Sequence, residues 1–246
     1  MKPIIVSDFD GTISQVDVTD LVLAQLAHPS WREVEQEWAL GLIGSRECLA
    51  RQMALVDASA PELNKLIDTV SVDAHFAGFY ELARRRKMPL FVVSDGFDLI
   101  IRRVLRNAGL DGPLHNGRHL FCSRLRIRGR RLQTSFPYSG PPCGHNCATC
   151  KTEVIRRLRR NGSPVVFIGD GLSDQFAARA ADVVYAKRQL LTFCRNHEIP
   201  CRSFETCKDV QDDLQSIIEN GWLALGIDLL PSKPRLVRSK VAVAVP

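Results

Sequence analysis

The chain has 246 residues, 45% of them hydrophobic and 24% charged, and a net charge of +6. That apolar content suits one large domain, or a core domain with an insertion, and excludes a disordered chain. The basic excess points to anionic partners: nucleic acid, an acidic membrane surface or a phosphorylated small molecule.

Residues 3–7 (PIIVS) form a short, β-branched run without charge, and 89–94 (PLFVVS), 164–168 (PVVFI) and 183–186 (VVYA) repeat the pattern. Such continuous runs predict strands buried on both faces of a parallel sheet. Between the first two lie about sixty residues, 16–74, with helical periodicity and no strand signal. Val18, Leu21, Val22 and Leu26 give one apolar face; Trp31, Val34, Trp38 and Leu42 give a second. Leu49 and Met53, then Leu63, Leu66, Ile67 and Val70, give others. This stretch is too long for a crossover and predicts a helical insert. Further helices are expected over 97–108, 151–160, 174–181, 188–196 and 205–219, with Asn107-Ala108-Gly109 and Asn161-Gly162 as stops. Residues 120–138, with LFCSRLRI and RLQTSF flanking Arg128-Gly129-Arg130, predict a hairpin.

The expected fold class is α/β: a doubly wound, mainly parallel sheet with an all-helical insert. The core domain would comprise 1–15 and 75–230, the insert 16–74, and a basic, proline-containing tail 231–246. For that tail an added edge strand and a disordered end stay equally open.

The basic runs near 84–87, 124–131, 156–160 and 235–240 have no aromatics interleaved as a single-strand surface would want, so they predict solvated surface rather than nucleic-acid binding. No run approaches the ~18 apolar residues of a membrane span. The N-terminal MKPIIVSDFDG lacks the apolar length of a secretory signal, so a cytoplasmic location with reduced cysteines is expected. Cys48, Cys122, Cys194, Cys201 and Cys207 then predict small buried hydrophobes. The oligomeric state has no signature here.

Three strand ends carry polar residues that would meet at one edge of the sheet. They are Asp8-Phe9-Asp10-Gly11-Thr12, Ser94-Asp95-Gly96 and Gly169-Asp170-Gly171-Leu172-Ser173-Asp174. Four acids, Asp8, Asp10, Asp170 and Asp174, would not crowd together ionised without a cation, and hard oxygen ligands select magnesium. Ser94 and the Gly96 amide offer donors for phosphate oxygens, and a lysine would complete the charge balance.

The set DFDGT, a strand ending in Ser94, a lysine opening a helix, and GDGLSD resembles the haloacid dehalogenase superfamily of phosphohydrolases, with the motifs in that family's order. The helical insert looks like the cap of the phosphoserine-phosphatase-like branch. The approach to the lysine, CGHNCATCK, and the segment YAKRQLLTFCRNHEIPCRSFETCKDV look like the methylthiopentenyl-phosphate phosphatase branch. By position, the resemblance implies a Rossmann-like core and a magnesium-dependent phosphatase of a small phosphorylated metabolite. Asp8 would be the nucleophile that forms an aspartyl-phosphate, and Asp10 the general acid and base. Thr12, Ser94, Asp95, Gly96 and Lys151 would hold the phosphoryl group, and Asp8, Asp10, Asp170 and Asp174 the metal.

Cap residues would set specificity, with Gln15, Asp17, Arg46 and Arg51 as candidates. Asp17 stands where phosphoserine phosphatases place a glutamate, and Ser173 where they usually have asparagine. Cys143, His145, Cys147 and Cys150 supply enough ligands for structural zinc, and reduced thiols are the other reading. The alternative function is a non-catalytic binding protein that uses the basic surface and a zinc knuckle.

Overall fold

The computed structural model describes residues 2–110, 114, 118–140, 145–159 and 162–220. The tail 231–246, Cys143 and Asn161 lie outside them. β1 (Ile4–Ser7) is central, flanked in parallel by β2 (Leu90–Phe97) and β5 (Val165–Gly169). β3 (Leu120–Arg128) continues the sheet beyond β2, and β6 (Val183–Ala186) and β7 (Arg202–Ser203) continue it beyond β5, all in parallel. β4 (Arg131–Ser135) folds back antiparallel onto β3 as the hairpin expected there. The order is β4-β3-β2-β1-β5-β6-β7. The strand order reverses between β1 and β5, where a doubly wound sheet opens its crevice.

Strand alternation feeds two cores. Ile4, Val6, Val165 and Phe167 pack against Val154, Ile155, Ala177, Ala178, Leu190 and Cys194, from α7 (Lys151–Leu158), α8 (Gln175–Ala180) and α9 (Arg188–Asn196). Ile5, Val166 and Ile168 face the other way, towards α5 (Phe76–Arg85), α6 (Asp98–Asn107) and α10 (Cys207–Asn220). Strands buried on both faces need this continuous apolar character, which is why the runs were legible.

Four helices precede α5 between β1 and β2: α1 (Val18–Leu26), α2 (Trp31–Ala39), α3 (Ser45–Ala54) and α4 (Ala60–Ile67). Val18, Val22, Leu49, Met53, Leu63 and Ile67 are buried and join the core under β1 and β2. Leu42 departs from its expected apolar face; it lies beyond α2 and is 71% exposed. α5 is absent from the sequence-based expectations, although Phe76, Phe79, Leu82 and Ala83 form a buried stripe. Gly78 in its first turn weakens the local helix signal. β7 has only two residues, too few for any periodicity to register.

The hairpin turn is more than solvated surface. Arg130 bonds Asp57 at 2.6 Å and Glu62 at 2.8 Å, while Ala58 N donates to Arg130 O at 3.1 Å. The turn thus grips the segment that leads into α4. Cys48, Cys122, Cys194 and Cys207 are buried as expected, and Cys201 is partly so.

Candidate active site

The residues after β1, within β2 and after β5 converge at the carboxyl edge of the sheet. Asp8 follows β1, and its amide continues the ladder by donating to Ile168 O at 2.9 Å. Asp8, Thr12, Ser94, Lys151, Asp170 and Asp174 are all buried. Ser94, Asp95 and Gly96 fall where the β2–β3 register shifts, an irregularity that turns the strand end towards the crevice.

Lys151 is the first residue of α7 and only 4% exposed. Its ammonium lies 2.9 Å from Asp8 Oδ1 and 2.5 Å from Asp174 Oδ1. Burial alone would lower its pKa, but the Asp174, Asp8 and Asp95 carboxylates outweigh that and hold it above the ordinary lysine range. The contact with Asp8 is ionic rather than a directed hydrogen bond, so Asp8 Oδ1 is a buried oxygen without a hydrogen-bond donor. Burial, then the Asp174 charge, pushes the Asp8 carboxyl well above its usual range against the opposing pull of Lys151.

Asp174 is spent on the protein itself. Its Oδ1 takes Lys151, and its Oδ2 accepts from the Asp170 and Gly171 amides at 3.0 and 3.1 Å. Asp170 accepts from the Thr12 hydroxyl at 2.9 Å and pairs with Arg188 at 3.1 Å. Its carboxyl is raised by burial and by Asp174. Gly11, at φ +68°, passes so close that a Cβ there would stand 2.3 Å from Asp170 Oδ2; only glycine fits both demands.

Asp10 sits apart from this trio. Its Oδ1 accepts from Val18 N at 2.9 Å at the start of α1. Its Oδ2 faces Gly96, where an added Cβ would approach to 2.6 Å. Burial, then the Asp17 and Asp8 charges, raises its carboxyl well above the usual range.

The expected metal set therefore divides. Among the described residues, the acids, histidines and cysteines whose ligand atoms lie within 4.8 Å of one another are Asp8, Asp170 and Asp174, without Asp10. Three buried carboxylates share Lys151 and the half-exposed Arg188 as counter-charges, and Asp8 Oδ1 lacks a donor. That all-oxygen donor set fits a hard divalent cation.

The zinc expectation is not upheld. His145, Cys147 and Cys150 form no ligand group among the described residues, and Cys143 lies outside them. The His145 ring instead stacks on Phe176 with centroids 3.9 Å apart. The loop carrying them is a strut between α3 and Lys151. Arg46 N donates to Asn146 O at 3.1 Å, Ala148 N to Ser45 Oγ at 2.9 Å, and Thr149 N to Asp95 Oδ1 at 2.8 Å.

The expected phosphate donors are partly committed elsewhere. Thr12 gives its proton to Asp170, and the Asp95 carboxylate braces Thr149. The Gly96 amide donates to Ser94 Oγ at 3.0 Å, which leaves the Ser94 hydroxyl proton for the cavity that Ser94 lines, while the buried Lys151 ammonium pairs with Asp8 and Asp174.

A cavity of about 480 Å³ opens above Asp8, Asp10, Ser94 and Asp170, and Asp17 on the insert lines it. Gln15, Arg46 and Arg51 do not. Gln15 is exposed and bonds through its backbone to Ser71 and Arg188, Arg46 is exposed, and Arg51 pairs with Glu37 at 2.5 Å. Long exposed arginines on a helix find local acids first, which sequence alone does not reveal.

The cavity also takes residues that the sequence reading passed over: Asp20, Glu35, Trp38, Gln52 and Arg188. Arg188 had a usable signal, since it follows the end of β6 at the same edge of the sheet. Trp38 reads in the sequence only as part of an apolar face, and Asp20, Glu35 and Gln52 carry no signal, because polar residues on an amphipathic helix read as solvated surface.

Comparisons with known proteins bear on the family and the fold. The family model for haloacid dehalogenase-like hydrolases matches residues 5–179. A 2-hydroxy-3-keto-5-methylthiopentenyl-1-phosphate phosphatase of Geobacillus kaustophilus is 30% identical over 85% of this chain and 93% of its own. A protein of the same name from Bacillus cytotoxicus is 26% identical over 86% of this chain and 95% of its own. Among solved structures, a phospho-aspartyl intermediate analogue of phosphoserine phosphatase superposes with a TM-score of 0.64 at 19% identity, covering 89% of this chain and 98% of that one. At that identity the likeness concerns the fold.

Proposed function

The chain belongs to the haloacid dehalogenase-like hydrolase family and is a phosphoric monoester hydrolase of it, and from that premise we propose that Asp8 is its nucleophile. Asp8 attacks phosphorus in line with the ester oxygen, so that an Asp8–phosphorus bond forms as the phosphorus–alkoxide bond breaks. Asp10 gives the proton on Oδ2 to the departing alkoxide. Burial, then the Asp17 and Asp8 charges, raises its carboxyl well above the usual range, which favours the protonated acid, and the Val18 amide on Oδ1 leaves Oδ2 to carry the proton. Water then attacks the aspartyl-phosphate, Asp10 takes the proton back, and phosphate and free Asp8 result. Lys151 and the Ser94 hydroxyl hold the phosphoryl oxygens through both steps. Asp8 and Asp170 would hold magnesium, with Asp174 beside them. When bound, the ion neutralises phosphoryl charge and favours ionised Asp8.

The observation that carries this reading is the buried Asp8 Oδ1, without a hydrogen-bond donor and 2.9 Å from the Lys151 ammonium. Such a group is costly to the fold unless a ligand uses it. We read 1–15 with 75–230 as the core domain and 16–74 as a cap that closes the cavity. The relatives' names support a small phosphorylated keto metabolite as substrate, and a cytoplasmic location is part of the proposal. Among the described residues no helix is long and apolar enough to cross a membrane. Phosphate release from 2-hydroxy-3-keto-5-methylthiopentenyl-1-phosphate, with magnesium and with chelator, tests the reading. No release from that ester or from acetyl phosphate by folded protein would turn it towards the binding alternative.

A further inference from the structure

The cavity wall facing the phosphoryl end carries negative charge without counter-ions. Asp17 caps α1, Asp20 stands in its first turn and Glu35 lies on α2; all three line the cavity of about 480 Å³. Among the described residues, none of the three pairs with a lysine or arginine. Glu35 takes only the Gln52 amide at 2.8 Å and the Cys48 thiol at 3.8 Å. Arg51, which could have neutralised this wall, is turned away to Glu37 and Glu47. Arg188, the cation that does line the cavity, is held by Asp170.

The crowding has an electrostatic mark. Burial, then the Asp20 charge, lifts the Asp17 carboxyl to about 6, and burial with Glu35 lifts Asp20. Protein surrounds these side chains, yet Asp17 and Asp20 stay open to water at the cavity mouth, so their charge acts on whatever enters. Asp17 caps α1 and Glu35 ties α2 to Gln52 of α3, but three charges gathered without basic partners still repel one another. Such charges give a site discrimination, by repelling the wrong ligand. At the other end, the buried Asp8 Oδ1 has no hydrogen-bond donor beyond its ion pair with Lys151, and Asp8 lines the same cavity as the acidic wall. Trp38 on the same wall adds an aromatic face, which favours cations further.

We propose that Asp17, Asp20 and Glu35 form a charge filter on the leaving group. The site prefers phosphomonoesters of cationic alcohols, accepts neutral ones, and rejects those whose alcohol carries a carboxylate or a second phosphate. This inference rests on the phosphatase reading.

Three phosphates with nearly the same two-carbon skeleton test it: O-phosphoethanolamine, 2-hydroxyethyl phosphate and phosphoglycolate, with positive, neutral and negative ends. With magnesium, kcat/KM is expected to fall in that order, by on the order of tenfold per step. For a compound turned over too slowly, its inhibition constant against p-nitrophenyl phosphate is read instead, with the same order of affinity. The D20N/E35Q double variant is expected to flatten the order, with folding checked by circular dichroism. Phosphoglycolate handled by the unaltered chain as well as the neutral ester would overturn the filter, whether or not the variant folds. Turnover of p-nitrophenyl phosphate with no charge order would sink the filter and leave the phosphatase standing. No release even from p-nitrophenyl or acetyl phosphate would remove both.

Discussion

The two ends of the cavity treat charge in opposite ways. At the floor, acids are buried and almost fully committed: Asp174 to Lys151 and two amides, Asp170 to Thr12 and Arg188. At the insert wall, Asp17 and Asp20 are exposed, and none of Asp17, Asp20 and Glu35 has a basic partner among the described residues. The floor is a rigid device for one chemical group, since both oxygens of Asp170 and both of Asp174 are held by named partners. The wall is a field rather than a mould, able to sort ligands by charge without specifying their shape. On the proposed reading, one end supplies the chemistry and the other the choice of substrate.

The sharpest way to break this division is at the floor. Asp8→Asn is expected to lower turnover of acetyl phosphate by about 10⁴-fold or more, because an amide is a poor nucleophile towards phosphorus. Circular dichroism should show an intact fold, since the substitution also removes a buried charge. A loss of only a few-fold would mean that another group attacks.

Lys151→Met should show what the floor costs without its cation. Asp8 and Asp174 would be left buried against each other, a penalty of about 3–5 kcal/mol, which lowers Tm by about 10 °C or more. An unchanged melting curve would show that these acids are protonated or solvated in the folded chain. Magnesium sharpens the same point. At a hundredfold excess over its Kd, binding should stabilise the chain by about 2.7 kcal/mol, a Tm rise of roughly 5–10 °C that Asp170→Asn abolishes. A rise that survives this substitution would place the ion elsewhere.

The smallest effect lies outside both ends, at the hairpin clamp. Hydrogen bonds from Ser59, then Arg130, hold the Glu62 carboxyl at about 2, below its ordinary 4.5. A depressed acid contributes stability above pH 4.5 and loses it as pH falls towards 2. Arg130→Ala should therefore lower Tm slightly at pH 7 and leave it unchanged near pH 2. These groups are fully exposed, so the difference stays small.

The contrast between floor and wall also marks what was legible in the sequence. Asp8, Ser94 and Asp170 could be found because each follows or ends a strand whose apolar pattern is unambiguous, and the sheet gathers strand ends by topology. Lys151 was found through the resemblance, which implies a lysine opening a helix there. The commitments of Thr12, Asp95 and the Gly96 amide could not, because they depend on distances of a few tenths of an ångström across the crevice. The exclusion of Asp10 from the carboxylate trio is of the same kind. It turns on one hydrogen bond, from Val18 N. The wall was legible only at Asp17, through the resemblance to phosphoserine phosphatases, which place an acid at that position. Asp20 and Glu35 lie on helices whose apolar faces explain the folding and say nothing of the polar side. Arg46 and Arg51 show the reverse error: right in charge and in the right region, but on faces that do not meet the cavity.

The central claim is that Asp8 carries the phosphoryl group, and trapping that group tests it most directly. The chain would be mixed with radiolabelled acetyl phosphate and magnesium, quenched in acid within one turnover and mapped by peptide. Label on the peptide containing Asp8 is expected, more of it in Asp10→Asn, where hydrolysis of the intermediate is slowed, and none in Asp8→Asn. Phosphate released at full rate with no label on the chain, even in Asp10→Asn, would contradict the account and point to direct attack by water.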